Sequence, residues 1–468
     1  MYFRSILALL ALLVGVGACT AGNNPPQTAA SGSVSLPPEI AREVGDIYTS
    51  PALQSFVDRV GQKVVSAAGL PGSYRFLILD DPVANAHAIS SGGYVFVTRG
   101  LLALIDDEAE LAAAFGHELG HIARRHAAQR ERIRRAMTDA AVKAAVTSGS
   151  VTVGRSVARE GLLELRRYSR EQELEADRTG LGFIVGAGYR GSAMASLIEK
   201  LQLDAKLEDE LIGPMPDVGD RSALSTHPEP EERLTALSGI DASRRPGESG
   251  RQAYLSAVEG MSVDDAPEEG FVRGSTFQHP IMRLAFSAPP DFRLFNDHEG
   301  VLGVGRDRSL LYFSCTDEQI PGRLDDWMRN QLKPTPTDIQ SMEIGGAEAA
   351  IGSKPRGSDT GLDQIRYVLV RHGRGICYFN LLSDGPDRDR RIETLVAATR
   401  SFHSLSEAEA DSLRPFHLHV IAPAGASAAA LAQRMPYDDH RLQRLLTLNG
   451  VDDPAALTRL PQIKIVEP

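Results

Sequence analysis

The chain has 468 residues, 42% of them hydrophobic and 24% charged, with a formal net charge of −11. That length exceeds one ordinary core and predicts several domains, and the balance of apolar and charged residues is that of a folded protein. The acidity argues against a nucleic-acid binder, because such proteins displace counterions from phosphates with an excess of basic side chains.

The first residues, "MYFRSILALLALLVGVGACTAG", carry Arg4, an apolar run from Ile6 to Val16, and small residues before Cys19. This is the pattern of a secretory signal over residues 1–18, too short for a good spanning helix. Its ending, "VGAC", resembles a bacterial lipobox, which implies that Cys19 becomes the lipidated first residue of the mature chain. Cleavage by the ordinary signal peptidase is the alternative, and would leave a soluble periplasmic protein. Thr20 follows the cysteine where aspartate would favour the inner membrane; the likeness to Gram-negative lipoproteins implies the periplasmic face of the outer membrane. Residues 19–37, rich in Pro, Ser, Gly and Asn, read as a flexible tether. The other two cysteines, Cys315 and Cys377, lie in strand-like runs. In an exported chain they either bridge or stay as two buried thiols.

From residue 38 to 240 the pattern is mostly helical, interrupted by strand-like "YRFLIL" (74–79) and "YVFVT" (94–98). The small-residue stretch Ala136 to Val153 contains Asp139 and Lys143 and reads as packed helix or loop, not as a membrane crossing. Pro, Gly and acidic residues in "ASRRPGESG" and "DDAPEEG" mark a boundary. Beyond it, "IMRLAFSAP", "LLYFSC", "IRYVLVRH" and "ICYFNLL" alternate with helical segments and predict an α+β domain over 266–405, loosely resembling PsbP-like sheets. Residues 414–468 read strand, helix, helix, strand and resemble a divergent LysM module, with "AGASA" where a Gly-Asp-Thr turn is usual. That resemblance implies peptidoglycan as a partner; a structural or protein-binding role is the alternative.

The chemistry concentrates in "HELGHIARRH", residues 117–126. An advance of about 100° per residue sets His117 and His121 about 40° apart on one helix face, where both reach one ion. Glu118 completes an HExxH arrangement, in which two neutral imidazoles bind Zn²⁺ and the glutamate takes a proton from water. The helix around them, "ELAAAFGHELGHIA", is apolar nearly all round and must be buried, so three polar groups in it are costly unless something binds them. In "YSREQELEADRTG", Glu173 and Asp177 share a helical stripe with Leu162, Leu181 and Ile184, whereas Glu175 points to the opposite side. Carboxylates on an apolar face want a cation, so Glu173 is the expected third ligand. Asp177 is then placed to accept the free ring N–H of a ligating histidine, His117. An ion pair of these carboxylates with Arg170 or Arg178 is the alternative. His126 falls about 140° from His121 on a continuous helix and reads as structural.

Together with "NAHAISSGGYVFVTRGLL" and "STHPEPEERL", these motifs resemble the zinc metallopeptidase family of HtpX, the CAAX prenyl proteases and the periplasmic BepA-like proteases. The resemblance implies a mainly α, zincin-like (α+β) metalloprotease domain over 38–240, with one Zn²⁺ per chain on His117, His121 and Glu173, Glu118 as base and Asp177 as orienter. It brings His227 to the metal, to cap a latent site or donate to the oxyanion; a loop-fixing role is the alternative. It makes "GGYVFVT" the substrate-pairing edge strand, with Asn85, Gly92, Gly93 and Tyr94 binding substrate. His87, where the family often has Phe, is a specificity candidate, and Arg233 is structural. The implied function is metalloendopeptidase action on unfolded or misassembled envelope proteins. Its partners are polypeptide substrates, outer-membrane proteins or their assembly machinery, peptidoglycan, and the membrane through a lipid anchor only. The alternative is a chaperone or scaffold with a latent zinc site.

Overall fold

The computed structural model describes residues 36–89, 92–148, 150–212, 227, 229–297, 300–307, 309–353, 365–383 and 387–468. The leader, Cys19 and nearly all of the tether lie outside the described residues, as does the side chain of Leu162.

The N-terminal region opens with α1 (Pro38–Val44) and α2 (Pro51–Ala68). Pro51 suits the first turn of α2, where its missing N–H has no partner to lose, and Gly69 ends the helix in the left-handed conformation. Leu53, Val57, Val60 and Val64 recur at helical spacing and bury one face against β1 (Arg75–Leu79). Two more strands, β2 (Ala86–Ile89) and β3 (Tyr94–Thr98), complete a sheet of order β1-β3-β2, with β1 parallel and β2 antiparallel to β3. This corrects the expectation for "GGYVFVT". Both sides of β3 are already hydrogen-bonded, so its main chain has no free edge for a substrate. Among the described residues the outer side of β2 pairs with no strand; the sequence does not predict β2.

Next come α3 (Arg99–Leu104) and α4 (Glu108–Ala123), capped by the Asp107 side chain on the Glu110 N–H. A long hairpin follows, α5 (His126–Ser148) and α6 (Val151–Gly186), then α7 (Ala193–Ile212), α8 (Pro230–Ser238) and α9 (Arg251–Val258). Three glycines set the approach of α4 to α6. A Cβ on Gly120 would lie 2.7 Å from the Ala176 carbonyl oxygen, and one on Gly180 would lie 2.6 Å from Gly116 backbone and 2.8 Å from the His117 nitrogen. Without side chains there, the two backbones touch, and Glu173 and Asp177 come level with the histidines.

The middle region holds a seven-stranded antiparallel sheet of order β10-β11-β12-β13-β9-β8-β7, running from β7 (Phe292–Asp297), β8 (Gly300–Gly305) and β9 (Leu310–Thr316) through β10 (Thr337–Ile344), β11 (Ala347–Ser353), β12 (Ile365–His372) and β13 (Gly375–Leu382). Helices α10 (Leu324–Gln331) and α11 (Arg388–Thr399) pack against it. A smaller sheet contains β4 (Phe271–Arg273), β5 (Thr276–His279), β6 (Leu284–Ser287) and β14 (His403–Ser404), and α12 (Glu407–Ser412) follows it. Cys315 and Cys377 stand opposite each other on β9 and β13 and form a disulfide.

In the C-terminal region β15 (His417–Ile421) and β16 (Ile463–Glu467) pair antiparallel around α13 (Ala428–Ala432), α14 (Arg441–Leu448) and α15 (Pro454–Arg459). There are three short helices where two were expected. This region does not stand apart: Leu418, Leu431, Leu445, Ile463 and Ile465 share one apolar core with α2, α4 and α9. Lys464, 0% exposed, donates to the carbonyls of Ala103, Leu104 and Ile105 at 2.6–3.0 Å and pairs with Asp106 at 3.0 Å, closing the end of α3.

Candidate metal centre

His117 and His121 come from consecutive turns of α4, Glu173 and Asp177 from α6, and His227 from the segment before α8. One ligand atom each of His117, His121, Glu173 and His227 lie within 4.8 Å of one another. The two histidine Nε2 atoms are 3.0 Å apart, and the Glu173 carboxylate lies 3.3 Å from His117 Nε2 and 3.4 Å from His121 Nε2. Donors about 2.0–2.2 Å from a tetrahedral zinc sit roughly 3.3–3.5 Å from each other, so this spacing suits that ion.

The donor chemistry agrees. His117 Nδ1 lies 2.8 Å from Asp177 Oδ1, so its N–H is used there and its Nε2 lone pair faces the other donors. Asp177 is in turn clamped by Arg233, Nε to Oδ2 at 2.7 Å and Nη2 to Oδ1 at 2.8 Å. His121 has its own support, its Nδ1 lying 2.8 Å from His126 Nδ1, while His126 Nε2 reaches Glu175 at 3.2 Å. One tautomer set satisfies the chain: His121 donates to His126, and His126 donates to Glu175. Two imidazole lone pairs and a carboxylate thus converge in a buried space, which a cation stabilises and an empty interior does not.

The electrostatics favour positive charge in the cluster. Burial opposes a charged His117, but hydrogen bonds to Asp177 and Glu173 outweigh it and push the imidazole up to about 9, so a proton competes with a metal cation for its Nε2. Burial would raise Glu173, yet the neighbouring His227, His117 and His121 hold it far below the usual carboxylate range. Burial pushes Glu118 up from the usual carboxylate range. Its Oε1 lies 3.4 Å from His227 Nε2. His227 Nδ1 is 2.9 Å from Glu173 Oε2 and 3.1 Å from His117 Nε2, taking a fourth corner of the cluster.

The structure therefore brings together His117, Glu118, His121, Glu173, Asp177 and His227 in one site. Arg170, the alternative partner for Glu173, pairs with Glu229 instead. Two supports were missed. Arg233 is the clamp on Asp177, and His126 turns back toward His121 because α4 ends at Ala123 and Arg125 adopts φ 56°, so the continuous-helix angle does not apply. The proposed substrate residues divide. Asn85 sits at the entry to β2, its carbonyl accepting from the Thr98 N–H at 3.0 Å. His87 on β2 stacks on Phe96, and burial lowers it to about 4. Gly93, in contrast, lies in the left-handed region against the Ser73 carbonyl, where a Cβ would come within 2.2 Å, and Tyr94 is buried beside Ile40, Leu77 and Phe96. Gly93 and Tyr94 serve the fold. Gly92 sits in the turn between β2 and β3, off the free edge.

Residues 51–241 match the family described as "Peptidase family M48". The chain is 29% identical over 204 residues to a "Putative beta-barrel assembly-enhancing protease" of Vibrio cholerae, covering 40% of this chain and 39% of the relative. It is 27% identical over 265 residues to the "Beta-barrel assembly-enhancing protease" of Escherichia coli K12, covering 50% of this chain and 51% of that one. A third relative, the "Mitochondrial metalloendopeptidase OMA1" of Arabidopsis thaliana, is 32% identical over 167 residues, 36% of this chain and 31% of the relative. The chain thus spans about half or less of the length of these relatives. The matched segment, residues 51–241, contains every residue of the cluster.

Proposed function

We propose that the chain is a zinc-dependent metalloendopeptidase of the bacterial cell envelope that cuts unfolded or misassembled proteins in outer-membrane protein quality control. The observation that carries this reading is the buried convergence of His117, His121 and Glu173 with Glu118 beside them. Zinc on those three ligands would polarise a scissile carbonyl and supply a water able to attack at neutral pH. Glu118 accepts a proton from the attacking water and passes it to the leaving amine. Asp177, fixed by Arg233, keeps His117 in one tautomer, and His126 does the same for His121.

An extended substrate pairs with the free edge of β2, beside Asn85 and His87, through main-chain hydrogen bonds. His227 caps the site at rest, and its displacement opens the corner a substrate needs. The names of the beta-barrel assembly-enhancing relatives support outer-membrane proteins or their assembly machinery as partners. Lipidation at Cys19 anchors the chain at the periplasmic face of the outer membrane. The sheet region is read as PsbP-like, and the C-terminal strands and helices as a LysM-like surface for peptidoglycan. His227 in the fourth corner also favours the second reading, a chaperone or scaffold with a latent site.

Casein digestion by the purified chain, and by His227→Ala, separates the two. The protease reading expects cleavage that a chelator stops and added zinc restores, faster in His227→Ala. Stoichiometric zinc without cleavage in either protein would favour the scaffold.

A further inference from the structure

The α5–α6 hairpin leaves the metal site at His126 and returns to it at Glu173, so its tip lies about 33 Å away at about 1.5 Å per residue. Its small-residue stretch is predicted as packed helix or loop, but α5 buries only His126, and none of the described side chains from 140 to 153 is buried. Val142, Val146 and Val153 are 58%, 76% and 42% exposed, three of the five large hydrophobic side chains that the described residues leave exposed. From Ala140 to Gly154 the only charged residue is Lys143. Behind the tip the charge changes sharply: between 130 and 159 there are seven basic and two acidic residues, a local +5 in a chain of total charge −11. Arg132, Lys143 and Arg159 are exposed.

An exposed apolar tip backed by a belt of cations matches the layers of an anionic bilayer, acyl chains first and phosphates behind them. The remaining −16 of the chain is repelled by such a surface, so the hairpin is the part that meets it first. No helix among the described residues is long and apolar enough to cross a membrane, so the contact is peripheral. We infer that the α5–α6 hairpin is a docking arm for anionic phospholipid bilayers, with Val142, Val146 and Val153 seated at the acyl boundary and the basic shaft on the headgroups. It holds the metal site about 33 Å off the surface. The inference adds a second membrane contact to any lipid at Cys19 and is independent of the zinc chemistry.

The test uses the full chain with Cys19→Ala, so that no lipid is attached there, and an environment-sensitive fluorophore on Val146→Cys. A second protein carries the label on exposed Ser256→Cys as a control; Cys315 and Cys377 are already bonded to each other. Both are mixed with phosphatidylethanolamine vesicles, with or without phosphatidylglycerol. The expected result is a blue shift and protection from an aqueous quencher at position 146 only, with phosphatidylglycerol only, weakened by salt. Arg132→Ala or Lys143→Ala should weaken it roughly fivefold each. No shift at 146 with either vesicle, or equal shifts at 146 and 256, would overturn the inference. So would a shift only on adding an acidic envelope protein, which would make the arm a protein-docking surface.

Discussion

Two glycines on one helix should respond to alanine in opposite directions. Gly182 of α6 is exposed, and a Cβ there meets nothing within 4 Å, so Gly182→Ala should stabilise the fold by about 0.5–1 kcal/mol through helix propensity and a less flexible unfolded chain. Gly180 has the same intrinsic preference, but its added methyl would lie 2.6 Å from Gly116 backbone and 2.8 Å from the His117 nitrogen. Backbone cannot swing aside as a side chain can. Reaching ordinary contact at 3.4 Å requires α6 to move off α4 by about 0.8 Å. Overpacking of this kind costs about 1–3 kcal/mol, which outweighs the propensity gain. The same displacement carries Glu173 away from His117 and His121, whose donor separations of 3.3 and 3.4 Å leave little slack. Zinc affinity should fall about 10–100-fold, as it does when ligand positioning is lost. Thermal melts and zinc competition against a chelator read both effects. If Gly180→Ala melts at or above the wild type and holds zinc equally well, the glycine contact does not set the site.

Other outcomes follow from single side chains. Lys464→Met leaves three buried carbonyls without a donor, while Asp106 keeps Lys200 and Arg251; the cost should be about 3 kcal/mol in urea unfolding, and no loss would make 414–468 an independent module. His126→Ala should lower zinc affinity about 10–100-fold by freeing the His121 ring, whereas unchanged affinity would leave His126 a packing role only. Asp265 is buried against Asn296, and burial raises it to about 7 in a setting that also includes Arg99, Asp81 and Asp264. Its folded value exceeds the ordinary 3.8, so the native state binds the extra proton and stability is lost as pH rises from about 4 through about 7. Asp265→Asn should flatten that part of the stability profile; an identical slope in the variant would place the titration elsewhere.

The histidine pair and the two carboxylates were legible in the sequence because each pair sits within one uninterrupted helix, where angular spacing fixes the shared face. His126 was not, because its direction depends on a helix end and a left-handed Arg125 that spacing does not reveal. Arg233 and Asp177 are 56 residues apart, and nothing local ties them. The free edge at β2 was missed because its four residues, "AHAI", give too short an alternation to stand out from a loop. Lys464 in "IKIV" reads as a solvent-facing residue by strand alternation, yet it points into the end of α3. Only the packing of the C-terminal strands against the core shared with α2, α4 and α9 shows that. A signal was nevertheless present for the helix contact: Gly116 and Gly120 each stand directly before a histidine, about one turn apart, which marks close helix approach.

In the proposed reaction Glu118 moves the proton at a zinc site built by its neighbours. Zinc content and casein cleavage of the wild type and Glu118→Gln, measured on the same preparations, test it most directly. Both proteins should hold one zinc per chain, and cleavage should be lost only in Glu118→Gln, because the amide keeps the shape of the site but cannot take a proton. Cleavage by Glu118→Gln at the wild-type rate, or a wild type that binds no zinc, would contradict it.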